Sequence, residues 1–131
     1  MPTLSGIDHV ALTVRDLDAS AAFYERLFGF PPIGGIEGDG LTRRLFRLPS
    51  GTNIGLTVHD RGTDGRFDPF TPGLDHLGFA VDGIDDLREW QAHLDDRGIA
   101  NSGLVEASYG TALSVKDPDG VALEFFVGAE S

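Results

Sequence analysis

The sequence predicts an α+β fold built from two similar βαβββ halves. Three observations carry that expectation. A strand-like segment occurs twice, an amphipathic helix follows each copy, and turn-separated strand pairs follow each helix. The first copy is Ile7-Asp8-His9-Val10-Ala11-Leu12-Thr13-Val14, and the second is Leu74-Asp75-His76-Leu77-Gly78-Phe79-Ala80-Val81. Both alternate in period two, as a strand with two different faces does. A repeat at this distance marks two copies of one supersecondary unit.

Each element can be justified in turn. Asp18 and Asp85 are expected to cap the two helices. Ala22, Phe23 and Leu27 form the apolar stripe of the first helix, and Leu87, Trp90 and Leu94 that of the second. Gly29 and Gly98 are placed to end them. In the first half, Arg43 to Leu48 reads as a strand, Pro49-Ser50-Gly51 as a turn, and Asn53 to His59 as the next strand. In the second, Thr111 to Lys116 is a strand, Asp117-Pro118-Asp119-Gly120 a turn, and Val121 to Val127 the last strand. A short strand is expected before each pair, near Pro32–Ile36 and near Leu104–Ala107. The halves are then residues 5–59 and 72–128 of a single domain over 1–131, joined by the Gly-, Asp- and Pro-rich linker 60–71.

Composition narrows the function classes. A formal charge of −11 argues against nucleic acid or an acidic membrane as partner, because phosphate would be repelled. Cysteine is absent, which removes disulfides, thiolate nucleophiles and zinc–thiolate sites. No apolar run is long enough to cross a bilayer, and the first residues lack a signal-peptide pattern, so a cytoplasmic location is expected. Gly34-Gly35 and Gly38-Asp39-Gly40 are no phosphate loop, since no Lys-Ser/Thr follows at the required spacing.

The chemistry lies on one strand face. His9, Ala11 and Thr13 share a face, opposite Val10, Leu12 and Val14. His76, Gly78 and Ala80 repeat this, opposite Leu77, Phe79 and Val81. On the last strand Ala122, Glu124 and Phe126 oppose Leu123, Phe125 and Val127. The bulky face should pack on the helices. A second face with small side chains and ionisable groups should line a cavity. A lone strand histidine is usually structural, and Glu124 alone could pair with Arg44 or Lys116. The repeat changes that balance by making His9 and His76 equivalent, with Glu124 on the strand beside His76. Two imidazoles and one carboxylate form a facial ligand set that leaves positions open on a divalent ion. Fe²⁺, Mn²⁺, Co²⁺, Ni²⁺ and Zn²⁺ all suit such ligands.

The two Asp-His strands, the helix end Ala21-Ala22-Phe23-Tyr24-Glu25-Arg26-Leu27-Phe28-Gly29-Phe30, and Asp117-Pro118-Asp119-Gly120-Val121-Ala122-Leu123-Glu124-Phe125-Phe126 together resemble the vicinal oxygen chelate superfamily. That superfamily includes glyoxalase I, extradiol dioxygenases, fosfomycin-resistance enzymes and bleomycin-binding proteins. The resemblance covers nearly the whole chain. It implies a cupped eight-stranded mixed sheet of paired modules, with ligand positions at His9, Gly55, His76 and Glu124. Gly55 offers no ligand where glyoxalase I enzymes generally carry one. Extradiol enzymes typically have a tyrosine where Ser114 stands and a histidine upstream, whereas none lies between Leu104 and Leu113 here. Fosfomycin enzymes place a threonine where Ala11 stands and continue into a basic tail, whereas this sequence runs only to Ser131.

The resulting expectation is a metal-dependent enzyme of dioxygenase-like or lyase-like chemistry, acting on vicinal oxygens of a small organic substrate. The alternative is a protein that sequesters an aromatic natural product or drug, with or without metal. One divalent ion per site is expected on His9, His76 and Glu124, and a homodimer is the expected assembly. The expected substrate-lining positions are Ala11, Thr13, Asn53 and Gly55 in the first half, and Gly78, Ser114 and Phe126 in the second. Phe67 and Phe70 of the linker close over an apolar site or anchor the linker. His59 shares strand phase with Gly55 and is either an acid/base group or, as favoured, a solvated strand-end residue. Tyr109 either donates to a substrate oxygen or covers the cavity mouth. Arg43 or Arg44 could meet an anionic substrate, but a surface ion pair is the expectation for both. His93, on a helix, has no assigned role.

Overall fold

A computed structural model describes residues 1–129. The chain divides into two units, Met1–Gly65 and a second beginning at Arg66. Among the described residues no helix is long and apolar enough to cross a membrane.

The first unit contains β1 (His9–Thr13), α1 (Leu17–Phe28), β2 (Gly34–Gly38), β3 (Leu41–Arg47) and β4 (Asn53–His59). Its sheet order is β1-β4-β3-β2. β1 runs parallel to β4, and the other neighbours are antiparallel. The second unit repeats the plan with β5 (Leu77–Ala80), α2 (Ile84–Asp96), β6 (Leu104–Ala107), β7 (Gly110–Lys116) and β8 (Ala122–Gly128). Its order is β5-β8-β7-β6, with β5 parallel to β8. All eight expected strands are present, as two four-stranded mixed sheets with one helix each. The α+β expectation is met.

Each helix covers the bulky face of its own sheet. α1 packs on β3 and β4, burying Tyr24, Leu27 and Phe28 beside Phe46, Ile54 and Leu56. Tyr24 sits centrally there, with Phe46 and Phe28 rings 6.5 and 5.6 Å away. In the second unit Leu87 and Leu94 are buried with Leu113, Leu123 and Phe125, and the Trp90 ring stacks on Phe125 at 4.4 Å. Each such side chain contributes on the order of 1.5–3 kcal/mol through burial. In the stripe expected for α1, Ala22 is exposed, and the fully buried Tyr24 takes the inward place.

Several boundaries differ from the sequence expectation. Asp16, not Asp18, caps α1: its Oδ1 accepts the Ala19 N–H at 3.1 Å. Gly83, not Asp85, is the cap position of α2. Asp18 and Asp85 instead lie in the first turns, where a carboxylate still favours the positive helix end. β2 starts at Gly34 rather than Pro32, since prolines have no N–H to offer a ladder. β3 starts at Leu41 rather than Arg43, because Asp39 and Gly40, at φ 53° and 79°, turn tightly between it and β2. Asp-Gly with two left-handed residues matches the twist of a two-residue hairpin. The segment Asp60–Thr71 contains neither helix nor strand.

Candidate functional site

Ladder register shows which residues share the face turned away from each helix. In the first unit His9 stands opposite Asn53, Ala11 opposite Gly55, and Thr13 opposite Thr57. On the other side of β4, Arg47, Leu45 and Arg43 stand opposite Asn53, Gly55 and Thr57. These residues share one face, while Leu12, Val14, Ile54 and Leu56 are buried on the other. That face is not lined only by small groups, since β3 adds Leu45 and two arginines. In the second unit Gly78 stands opposite Glu124, and Ala80 opposite Phe126. Ser114 and Ala112 stand opposite Glu124 and Phe126 on β7. His76 directly precedes β5, so it lies diagonal to Glu124 on the same face, and Glu124 is half-buried.

Both histidines are prepared in the same way. His9 Nδ1 lies 2.8 Å from Asp8 Oδ1, and His76 Nδ1 lies 2.7 Å from Asp75 Oδ1. An imidazole that donates from Nδ1 to a carboxylate presents Nε2 as a lone-pair donor, the arrangement that orients metal-binding histidines. Exposed pairs of this kind add little to stability. Their value is the choice of tautomer. Neither aspartate was assigned a role from sequence, although the repeat carries both as Asp-His.

Glu124 has no hydrogen-bond or ion-pair partner among the described residues, so the alternative pairing with Lys116 in its own unit is not formed. Its charge is nevertheless felt at His76. The Asp75 hydrogen bond, and then the Glu124 and Asp75 charges, raise the His76 pKa above 6.5, while slight burial opposes them. An imidazole whose Nδ1 is held by Asp75, with a half-buried carboxylate diagonal to it on the next strand, is a ligand pair that suits a divalent ion. Neither unit by itself gathers three His, Asp or Glu side chains in reach of one ion among the described residues.

The remaining candidates fall as follows. Asn53 accepts from Arg47 Nε at 3.1 Å. His59 shares the open face and is exposed at the end of β4. Tyr109, 73% exposed in the β6–β7 turn, stacks on Phe126 with centroids 6.1 Å apart. This forms an aromatic surface on the Glu124 side of β8. The Phe126 ring covers Gly110, where a Cβ would come within 2.4 Å of it. Phe67 is half-buried and its N–H donates to the Asp119 carbonyl at 3.2 Å, which anchors the linker. Phe70 is 92% exposed and covers nothing in its own unit, because Asp68 holds its backbone in a tight turn.

Two Asp-His segments, each leading a βαβββ unit, with a glutamate on the last strand, point to one family. Residues 6–125 match the Glyoxalase/Bleomycin resistance protein/Dioxygenase superfamily. The chain belongs to this superfamily. It is 38% identical to a solved glyoxylase/bleomycin resistance protein/dioxygenase domain from Frankia sp. EAN1pec, with TM-score 0.87 over 97% of this chain and 100% of that one. It is 26% identical over 121 residues to MhqA of Bacillus subtilis (strain 168), named a putative ring-cleaving dioxygenase. That match covers 91% of this chain, which spans only 38% of the MhqA length. A mutant FosX fosfomycin resistance protein from Listeria monocytogenes, solved with Mn(II) and a dihydroxypropylphosphonic acid, shares the fold at TM-score 0.68 and 18% identity. That likeness covers 97% of this chain and 95% of FosX.

The Asp75–His76 contact gives this superfamily member a measurable pH signature. The raised pKa means the folded state favours protonated His76. Its contribution to stability is therefore full below the ordinary value of 6.5 and is lost as pH rises through the raised value. An ion held by His76 would need the neutral ring, so any such affinity should weaken as pH falls through the same range. Asp75→Asn should move the His76 midpoint down toward 6.5, read from its ring proton in an NMR titration. An unmoved midpoint would count against the contact.

Proposed function

We propose that this chain is a metal-dependent enzyme that binds a small organic substrate through two adjacent oxygens and acts as a ring-cleaving dioxygenase. His9, His76 and Glu124 are the proposed ligands of one divalent ion. The observation that carries the reading is Glu124, half-buried and without another partner among the described residues, acting on an imidazole whose second nitrogen is held by Asp75. His9, with Asp8 at the same spacing, supports its place as the third ligand. The relationship to MhqA favours dioxygenase over lyase chemistry.

The bound ion would supply a Lewis-acid centre that stabilises negative charge on the substrate oxygens. The chain's own residues do the rest. Asp8 and Asp75 fix the tautomer of each imidazole. Gly78 and Ala11 keep the face beside the ligands open. Tyr109 and Phe126 offer an aromatic surface on which a planar ring can lie. His59, at an exposed strand end, is given no acid/base role. A homodimer is the proposed assembly.

The test is elemental analysis of untagged protein, anaerobic loading with Fe²⁺, and oxygen uptake with catechols. The expected result is one ion per chain and one O₂ consumed per ring opened, with both oxygen atoms in the product. Failure to take up metal would refute the reading. The exposed Tyr109–Phe126 pair favours a second reading, sequestration of an aromatic ligand. It predicts tight binding of such a ligand by metal-free protein, with no oxygen consumed.

A further inference from the structure

We infer that Arg43 is a carboxylate-binding residue on the open face of the first unit, so that the substrate is an anionic, carboxylate-bearing compound. This rests on the proposed function for the substrate's second attachment point, but the residue's own geometry stands apart from any metal. Arg43 shares its face with His9, Gly55 and Thr57 through the β1–β4–β3 register. Its Nε donates to Thr57 Oγ1 at 2.7 Å, and Thr57 is 1% exposed. Its stem crosses Gly55, where a Cβ would lie 3.2 Å from Arg43 Cδ and 3.6 Å from Cγ. Gly55 therefore does more than omit a ligand: it leaves the floor on which the arginine lies.

The guanidinium is thus held by one nitrogen while its two terminal nitrogens, with four N–H groups, have no carboxylate partner among the described residues. Among the described residues Arg43 lacks the surface ion pair expected for it, although the chain has 21 acidic and only 10 basic side chains. Arg88, by contrast, is paired with Asp85 at 2.8 Å. A half-buried, immobilised guanidinium fork matches a planar two-oxygen anion. Arg47, the other arginine on this face, donates to Asn53, which leaves the Arg43 fork as the group that suits a planar carboxylate. Thr57, which holds the guanidinium, is four residues along β4 from Asn53, the neighbour of His9, or roughly 14 Å of strand, and the arginine stem reaches back over Gly55 between them.

The test uses metal-free protein first. Benzoate and its uncharged counterpart benzamide are titrated while the Arg43 Nε–H and Gly55 amide signals are followed by NMR. Benzoate should shift both and saturate, and benzamide should shift neither. Arg43→Gln should weaken benzoate binding about 10- to 100-fold, as expected for loss of charge-assisted hydrogen bonds. Arg43→Lys should recover only part, and the amide spectra report whether each variant is folded. The inference is overturned if benzamide matches benzoate, if Arg43→Gln binds benzoate normally, or if no shift occurs. Fe²⁺-loaded protein then compares 3,4-dihydroxybenzoate with its methyl ester. A lower KM for the acid, lost in Arg43→Gln, supports the inference, and equal KM values overturn it. Failed metal loading with intact benzoate binding sinks the proposed function alone.

Discussion

Glu124→Gln is expected to lower metal affinity roughly 100-fold or more, since loss of even a partner behind a ligand costs 10- to 100-fold. The amide keeps the volume and removes the charge, so the fold should persist. The same change should lower the His76 pKa, because the Glu124 charge contributes to raising it. The two readouts are independent: competition with a chelator for the ion, and the His76 ring titration without metal. A lowered pKa with unchanged metal affinity would leave the two residues neighbours but end the assignment of Glu124 as a ligand. His9→Ala should cost similar affinity without moving the His76 midpoint through Glu124.

Asp117→Ala should be the most damaging change away from the ligands. Asp117 is 5% exposed in the turn between β7 and β8. Its Oδ1 accepts the Asp119 N–H at 2.9 Å and the Val121 N–H at 2.8 Å. The backbone adds Asp117 N–H to the Val121 carbonyl at 3.0 Å and Gly120 N–H to the Asp117 carbonyl at 2.9 Å. Removing the carboxylate strands two buried donors at about 1–3 kcal/mol each, so a loss of roughly 2–6 kcal/mol is expected by urea denaturation. Asp117→Asn retains an acceptor oxygen and should lose much less. A change under about 1 kcal/mol in the alanine variant would mean the turn stands without these bonds. The turn leads directly into β8, the strand that carries the proposed ligand Glu124.

Much of this molecule is readable in one dimension. Period-two alternation in Ile7–Val14 and Leu74–Val81 told the helix-packed face from the open one, because adjacent strand side chains must point oppositely. Asp117-Pro118-Asp119-Gly120 marks its turn by residue chemistry, since proline fixes its own φ and glycine accepts a positive one. Helix starts were less legible. Apolar spacing marks the buried stripe but not the cap, so Asp16 and Gly83 were passed over for Asp18 and Asp85. Tyr24 was missed in the α1 stripe because its hydroxyl hides a ring that the core buries completely.

By itself the sequence determined the two βαβββ units, the face of the first that carries His9 and the face of the second that carries His76 and Glu124, and the lack of a ligating side chain at Gly55. These depend on local periodicity and on residue chemistry, both carried by neighbours along the chain. Only the tertiary structure decided that Arg43 lies across Gly55 onto Thr57, and that Glu124 acts on His76. Those contacts join residues far apart in sequence, and register between strands brings them together. A charge has the same symbol in any sequence, but whether it meets a partner depends on what folding sets beside it.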